Sequence, residues 1–219
     1  ETAWEIDAKG EKLIRDCGCI PNFLHYNGYP ASICVSVNDE VVHGIPRKDR
    51  YLKEGDIVSL DAGLIYKGYH SDAARTHAVG KVSTEAQKLM DVTKQSFFEG
   101  IKMAKEGQHL HDISRAIEEY VTPYGYGIVR DLVGHGIGTA LHEAPEIPNY
   151  EVGRKGVKLR PGMTLAIEPM INIGTHEVDW LDDDWTVVTR DGSLSAHYEN
   201  TILITEGEPR ILSLTCENE

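Results

Sequence analysis

Leu52-Lys53-Glu54-Gly55-Asp56-Ile57-Val58-Ser59-Leu60-Asp61 recurs as Leu159-Arg160-Pro161-Gly162-Met163-Thr164-Leu165-Ala166-Ile167-Glu168, an offset of 107 residues (168 − 61). Each copy reads as a glycine turn feeding an apolar strand that ends on a carboxylate. The same offset relates two amphipathic helical patterns: Glu5, Ile6, Leu13 and Ile14 fall on Asp112, Ile113, Tyr120 and Val121. A glycine follows each pattern, Gly18 in one and Gly125 in the other. Two separate segments that share one offset imply a duplicated unit, with half-repeats over about 1–82 and 83–208 of a single domain. Asp61 and Glu168 are then equivalent positions, and a pseudo-twofold axis brings them to a shared centre.

Outward from the repeat, the pattern predicts a helix over about 2–16, strands over about 30–80, helices over about 84–105 and 109–123, and strands thereafter. The helix at 84 opens on Ser83-Thr84-Glu85, a capping-box-like start, and carries Leu89, Val92, Phe97 and Ile101 at helical spacing. Runs of helices and runs of strands, rather than alternating βαβ units, predict an antiparallel α+β layout. By symmetry a helix matching 84–105 is expected upstream of Glu1, before the first residue of this sequence.

The 219 residues carry 22 Lys+Arg against 35 Asp+Glu, a net charge of -13. Such a surface repels phosphate backbones, so nucleic acid is not an expected partner. The acidic start Glu1-Thr2-Ala3-Trp4-Glu5 and the lack of any run of about 18 apolar residues give neither a signal peptide nor a membrane span. Cys17, Cys19, Cys34 and Cys216 form no CxxC pair, and the first two lie too close for an ordinary bridge. Free thiols in a reducing cytosol are expected, hence a cytoplasmic protein.

The chemistry rests on Asp61, Asp72, His135, Glu168 and Glu199, which end apolar or glycine-rich segments spread along the chain. Asp61 and Asp72 stand on the two arms of a hairpin over 58–72, so both can face one ion. Asp61 is flanked by Leu60 and Ala62, where a carboxylate without a partner is costly. Glu168 and Glu199 sit in strands that otherwise bury themselves, and a cation is their strongest available partner. In Val133-Gly134-His135-Gly136-Ile137-Gly138 the glycines let backbone and substrate approach the imidazole. The GxGxxG spacing of a dinucleotide loop fails there, and His142-Glu143 lacks the second His of a zincin helix. Four carboxylates neutralise two divalent cations, and an oxygen-rich set with one imidazole suits harder ions such as Mn, Fe(II) or Co. Two ions about 3.5–4 Å apart generate hydroxide near neutral pH and hold a carbonyl oxygen, so hydrolysis of an amide or ester is expected.

These residues resemble a type I methionine aminopeptidase: Asn38-Asp39-Glu40-Val41-Val42-His43-Gly44-Ile45-Pro46, Asp61 with Asp72, Gly134-His135-Gly136-Ile137-Gly138, His142-Glu143-Ala144-Pro145, Ile167-Glu168-Pro169-Met170 and Tyr198-Glu199-Asn200-Thr201. The resemblance runs in order from about Tyr26 to Ile204, and the short interval from His142 to Glu168 leaves no room for the helical insertion of type II enzymes. It implies the pita-bread fold, two pseudo-symmetric α+β halves around a dinuclear centre. By position, Asp61 would chelate one ion, His135 and Glu168 the other, and Asp72 and Glu199 would bridge both Co, Mn, Fe(II) or Zn ions. A bridging hydroxide would attack the carbonyl, Glu168 would shuttle the proton, and His43 and His142 would contact the substrate amide and stabilise the tetrahedral intermediate without binding metal.

The resemblance further implies a methionine pocket lined by Tyr26, Tyr29, Cys34 and Trp185, with Phe23 and Leu141 where common members carry Cys and Phe. Asn38 and Ser195 match a structural monovalent-cation site. The expected substrates are N-terminal Met peptides and nascent chains at the ribosome with a small second residue, and the expected state is a monomer. Relative to the family, the first helix and the segment after it, roughly 35 residues, are missing, which would bare apolar surface on the first half. Two other outcomes are open at this point. Proline-specific aminopeptidases share the five ligands but carry an additional N-terminal domain. Pita-bread modules that have become binding proteins typically lack several ligands.

Overall fold

Thr2 and Glu5 cap each other: the Glu5 N–H donates to Thr2 Oγ1 at 3.2 Å and the Thr2 N–H to Glu5 Oε2 at 2.8 Å. Two of the donors that a helix start leaves open are thereby satisfied, and α1 (Ala3–Asp16) follows. The structure is a computed structural model that describes residues 1–214. In α2 (Thr84–Ile101) the cap is Ser83, whose Oγ accepts from the Ala86 N–H at 3.1 Å. In α3 (Leu110–Val121) the His109 N–H donates to Asp112 Oδ2 at 2.8 Å. The second and third helices end short of residues 105 and 123. Beyond α2 the chain turns through Gly107 (φ 86), and beyond α3 a 3-10 turn, Thr122–Tyr124, runs into the left-handed Gly125 (φ 74).

The offset of 107 recurs in the backbone bonds. Ala3 N–H donates to Arg50 O and Leu110 N–H to Val157 O, both at 2.9 Å; Leu52 N–H donates to Glu1 O at 3.1 Å and Leu159 N–H to Gln108 O at 2.8 Å. Every donor and acceptor in the second of each pair is the first shifted by 107, the offset between Asp61 and Glu168. Gly55 (φ 98) and Gly162 (φ 91) take the left-handed turn that leads into the repeated strand, a conformation glycine adopts without steric cost.

Among the described residues every strand pairing is antiparallel, as the α+β reading expects. In the first half, Ile57–Tyr66 pairs with Cys34–Val37, Ile20–Pro21 and Tyr69–Ala78. In the second, Thr164–Ile167 lies between Asn200–Leu203 and Gly134–Gly136, with Arg210–Ile211 and Glu143–Ile147 at the edges. α1 covers the first sheet through Ala3 and Ile14 against Ile33, Val35, Val37 and Val58. α2 and α3 cover the second, where Leu89, Phe97, Ile113 and Ile117 pack with Leu165, Ile167 and Ile202. Leu13, Ile20 and Tyr51 of the first half are exposed.

The halves meet where the site lies. Ala74 and Glu199 exchange backbone bonds, Ala74 N–H to Glu199 O at 3.3 Å and Glu199 N–H to Ala74 O at 2.9 Å. Thr201 Oγ1 accepts from the Asp72 N–H and donates to the Asp72 carbonyl, both at 2.9 Å. Cys17, Cys19 and Cys34 are free thiols, and Cys216 lies outside the described residues. Among the described residues no helix is long and apolar enough to cross a membrane.

Candidate metal centre

In the long hairpin Asp61 pairs with Ala74 and Asp72 with Gly63, so the two aspartates are diagonal neighbours on one face. Glu168 directly follows Thr164–Ile167 and Glu199 directly precedes Asn200–Leu203; the register Asn200 opposite Ile167 sets these two glutamates across from each other. His135 enters from the other neighbour of that strand, paired with Ala166. One antiparallel sheet and one hairpin thus deliver all five side chains to one point.

The glycines around His135 have a reason the sequence reading did not give them. A Cβ on Gly134 would stand 2.4 Å from Ala166 O, and one on Gly136 2.4 Å from Ala144 O. They let the strands on either side close in, and only thereby is the ring held still. His135 Nδ1 donates to Gly136 O at 2.8 Å, since a carbonyl can only accept, which leaves the Nε2 lone pair directed at Glu168 Oε1 (3.6 Å) and Asp72 Oδ2 (4.0 Å). Burial holds its pKa down to about 4. A neutral imidazole with its second nitrogen pinned is the usual state of a metal ligand.

Burial, with Asp72 nearby, pushes the carboxyls of Asp61, Glu168 and Glu199 well above their ordinary range, and burial takes Asp72 to about 7. Asp61 Oδ1 and Glu199 Oε1 are buried without a hydrogen-bond partner among the described residues. Arg75, the guanidinium beside them, is engaged elsewhere: it donates to the Glu199 and Ala74 carbonyls and to Asn200 Oδ1, and stacks on Tyr198. A cluster of carboxylates with orphaned oxygens is what divalent cations would satisfy, and the donor set fits them. Among the described residues two sets have ligand atoms within 4.8 Å of one another, Asp72–His135–Glu199 and Glu168–His197–Glu199. Asp61 joins neither, and its carboxyl lies against that of Asp72.

His197 was not singled out from the sequence. It is buried, and its Nε2 stands 3.7 Å from Glu168 Oε2 and 3.9 Å from Glu199 Oε2. The available signal was its spacing of two from Glu199, which puts alternate side chains of an extended chain on one face.

Beside the carboxylates a cavity of about 260 Å³ is walled by Phe23, Tyr26, Tyr29, Cys34, Leu141 and Trp185. Tyr29 and Trp185 meet edge to face at 5.0 Å, and the Tyr29 hydroxyl donates to Gly44 O at 2.9 Å, which keeps it out of the cavity. Phe23 and Leu141 are buried in one apolar cluster with Tyr29, Cys34 and Ile137. His43 and His142 border the same cavity. His43 is held in the left-handed region (φ 60), an uncommon conformation for a side-chain-bearing residue, and burial lowers its pKa to about 4. The His142 ring is 4.3 Å from that of His135, and its Nδ1 meets the Tyr26 hydroxyl at 2.7 Å. Asn38 and Ser195 lie apart from this cavity: the Asn38 side chain joins Asp56 Oδ1 and the Ile57 N–H, while its carbonyl accepts from Ser195 N–H.

Residues 1–206 match the model of metallopeptidase family M24. The chain belongs to that family. Within M24, it is 56% identical to the methionine aminopeptidase of Clostridium acetobutylicum over 99% of this chain and 86% of that one. It is 52% identical to methionine aminopeptidase 1 of Bacillus subtilis over 92% and 81%. Among solved structures, the methionine aminopeptidase of Thermotoga maritima superposes with a TM-score of 0.96 at 47% identity, covering 98% of this chain and 86% of that one. The prolidase of Pyrococcus furiosus matches at a TM-score of 0.73 and 25% identity over 98% of this chain and 56% of its own. The pita-bread M24 fold is therefore shown, and the cluster just described lies at the centre of a metallopeptidase.

Proposed function

We propose that this chain is a methionine aminopeptidase, removing the N-terminal Met of peptides and nascent chains whose second residue is small. The observation that carries the proposal is the convergence of Asp61, Asp72, His135, Glu168 and Glu199 beside a cavity walled by aromatic rings and a thiol. Identity above 50% to proteins named methionine aminopeptidase supports the same reading. The five side chains would hold two divalent cations, Mn, Fe(II), Co or Zn. Such ions supply an activated water near neutral pH and draw electron density from a carbonyl.

The protein's own groups do the rest. The cavity takes the thioether by apolar burial and sulfur–aromatic contact with Tyr29 and Trp185, which fixes the first residue and places its carbonyl at the carboxylates. Glu168, its carboxyl raised by burial, accepts the proton of the attacking water and returns it to the leaving amine. His142 is neutral because burial lowers its pKa; with Nδ1 accepting from the Tyr26 hydroxyl, its Nε2–H donates to the oxygen on which charge develops. His43, on the same cavity, contacts the substrate amide. Free thiols in a reducing compartment suit a cytoplasmic enzyme that meets chains as they leave the ribosome.

The test is release of Met from a Met-Ala-Ser peptide by chelated protein and by protein restored with Mn or Co, with Asp72→Asn alongside. Metal-dependent release that the substitution abolishes is the expected result. No release by restored wild-type protein would refute the proposal.

A further inference from the structure

His197 is the one side chain of the two ligand sets to which the proposed reaction gives no part. It ends the strand Ser195–His197 and is 2% exposed. The Thr76 hydroxyl fixes its backbone on both sides, accepting from the His197 N–H at 2.8 Å and donating to the His197 carbonyl at 2.9 Å. Among the described residues neither ring nitrogen has a hydrogen-bond partner. Nε2 faces Glu168 Oε2 at 3.7 Å and Glu199 Oε2 at 3.9 Å.

A neutral imidazole carries a single ring N–H, and two tautomers compete. With the proton on Nδ1, that N–H meets no acceptor and the Nε2 lone pair confronts two carboxylate oxygens. With the proton on Nε2, the N–H points at both. The distances exceed hydrogen bonds by roughly 0.8 Å, a gap that small side-chain rotations close. On the far side of Glu168, Oε1 faces the lone pair of His135 at 3.6 Å, so its two oxygens see two imidazoles of opposite character.

We propose that His197 is a positioning residue, whose Nε2–H holds the Oε2 atoms of Glu168 and Glu199 and so turns the other oxygen of each glutamate toward the metal ions. The inference rests on the metal-centre reading given above. It assigns His197 outside the ligand shell although its separations from the carboxylates match those of His135, and the lack of any acceptor at Nδ1 is the reason. Ligand histidines ordinarily donate that second N–H, as His135 does.

The decisive measurement is the ring ¹⁵N spectrum of Zn-loaded protein, with His197 assigned by its loss in His197→Gln. A protonated Nε2 and a bare, uncoordinated Nδ1 are expected; a protonated Nδ1 with a metal-shifted Nε2 would make His197 a ligand and overturn the proposal. Calorimetric titration with Mn supplies the second arm. His197→Leu, which removes the donor, is expected to bind Mn about 10–100-fold more weakly. His197→Gln, which keeps an N–H at about the same reach, is expected within about threefold of wild type, with KM for Met-Ala-Ser unchanged in both. Wild-type affinity in the Leu variant would reduce His197 to packing, and an equal loss in the Gln variant would make the imidazole itself the requirement; either overturns the proposal. If the Leu variant fails to fold, the spectrum and the Gln variant decide. Wild-type protein that binds no divalent ion would sink the metal-centre reading and this one with it, a result distinct from the variants failing alone.

Discussion

Tyr26 occupies two roles at one position. Its ring walls the cavity, and its hydroxyl meets His142 Nδ1 at 2.7 Å; in the proposed reaction it donates there, which leaves the proton of His142 on Nε2. Tyr26→Phe keeps the wall and removes the bond. A single hydrogen bond contributes about 0.5–1.5 kcal/mol net, so kcat for Met-Ala-Ser is expected to fall roughly 2–12-fold in steady-state kinetics while KM stays put. An increase in KM with kcat intact would instead make the hydroxyl a substrate contact. Trp185, edge-on to Tyr29 at 5.0 Å, should show the complementary pattern. Trp185→Ala opens the wall, and a KM raised about tenfold or more with Mn affinity unchanged is expected by titration and kinetics together.

At the scale of elements, Thr201 ties the strand Tyr69–Ala78 of the first half to Asn200–Leu203 of the second, gripping both the N–H and the carbonyl of Asp72 across 129 residues of chain. Thr201→Val keeps shape and leaves a buried backbone N–H without a partner, which costs about 1–3 kcal/mol. Urea unfolding should report that loss, and Mn affinity should fall with it because Asp72 loses its anchor. A variant as stable as wild type would show that the Ala74–Glu199 backbone bonds suffice to join the halves.

Across the whole molecule, the buried carboxylates set how stability responds to pH once the metals are removed. Asp72 is raised to about 7, and Asp61, Glu168 and Glu199 are raised as well. A carboxyl with a raised pKa stabilises the fold while protonated, fully so below its unfolded value, and that contribution disappears as pH rises through the folded one. The depressed imidazoles, His43 and His135 at about 4 and His197 at about 3, act in the opposite sense: their contribution is present above 6.5 and lost as pH falls. Above about pH 7.5, a full unit over the unfolded imidazole value, the imidazoles are nearly all neutral in both states and the raised acids decide, the buried Cys34 thiol acting in the same sense as the carboxyls. Calorimetry of chelated protein should therefore show Tm falling from about pH 7.5 to 8.5. Restored ions should reverse the fall, adding about 2.7 kcal/mol at a free concentration of a hundred times Kd. A Tm that rises over that window in chelated protein would contradict the buried acid cluster.

The repeat at an offset of 107, the antiparallel α+β class and the five ligand-type side chains are legible along the chain alone. Their signals are local: a glycine turn, an apolar run, a carboxylate where burial is costly, and a repeat whose offset of 107 returns in the backbone bonds of Ala3 with Arg50 and Leu110 with Val157. What depends on distance between remote segments is settled by the folded arrangement. His197 became part of the centre because its strand sets it against Glu168, Tyr26 became the partner of His142 across 116 residues, and Gly134 and Gly136 proved to make room for neighbouring strands. Periodicity states which face of an element is buried; which side chain it meets there depends on register and on the joining of the two halves, and neither is written in any one segment.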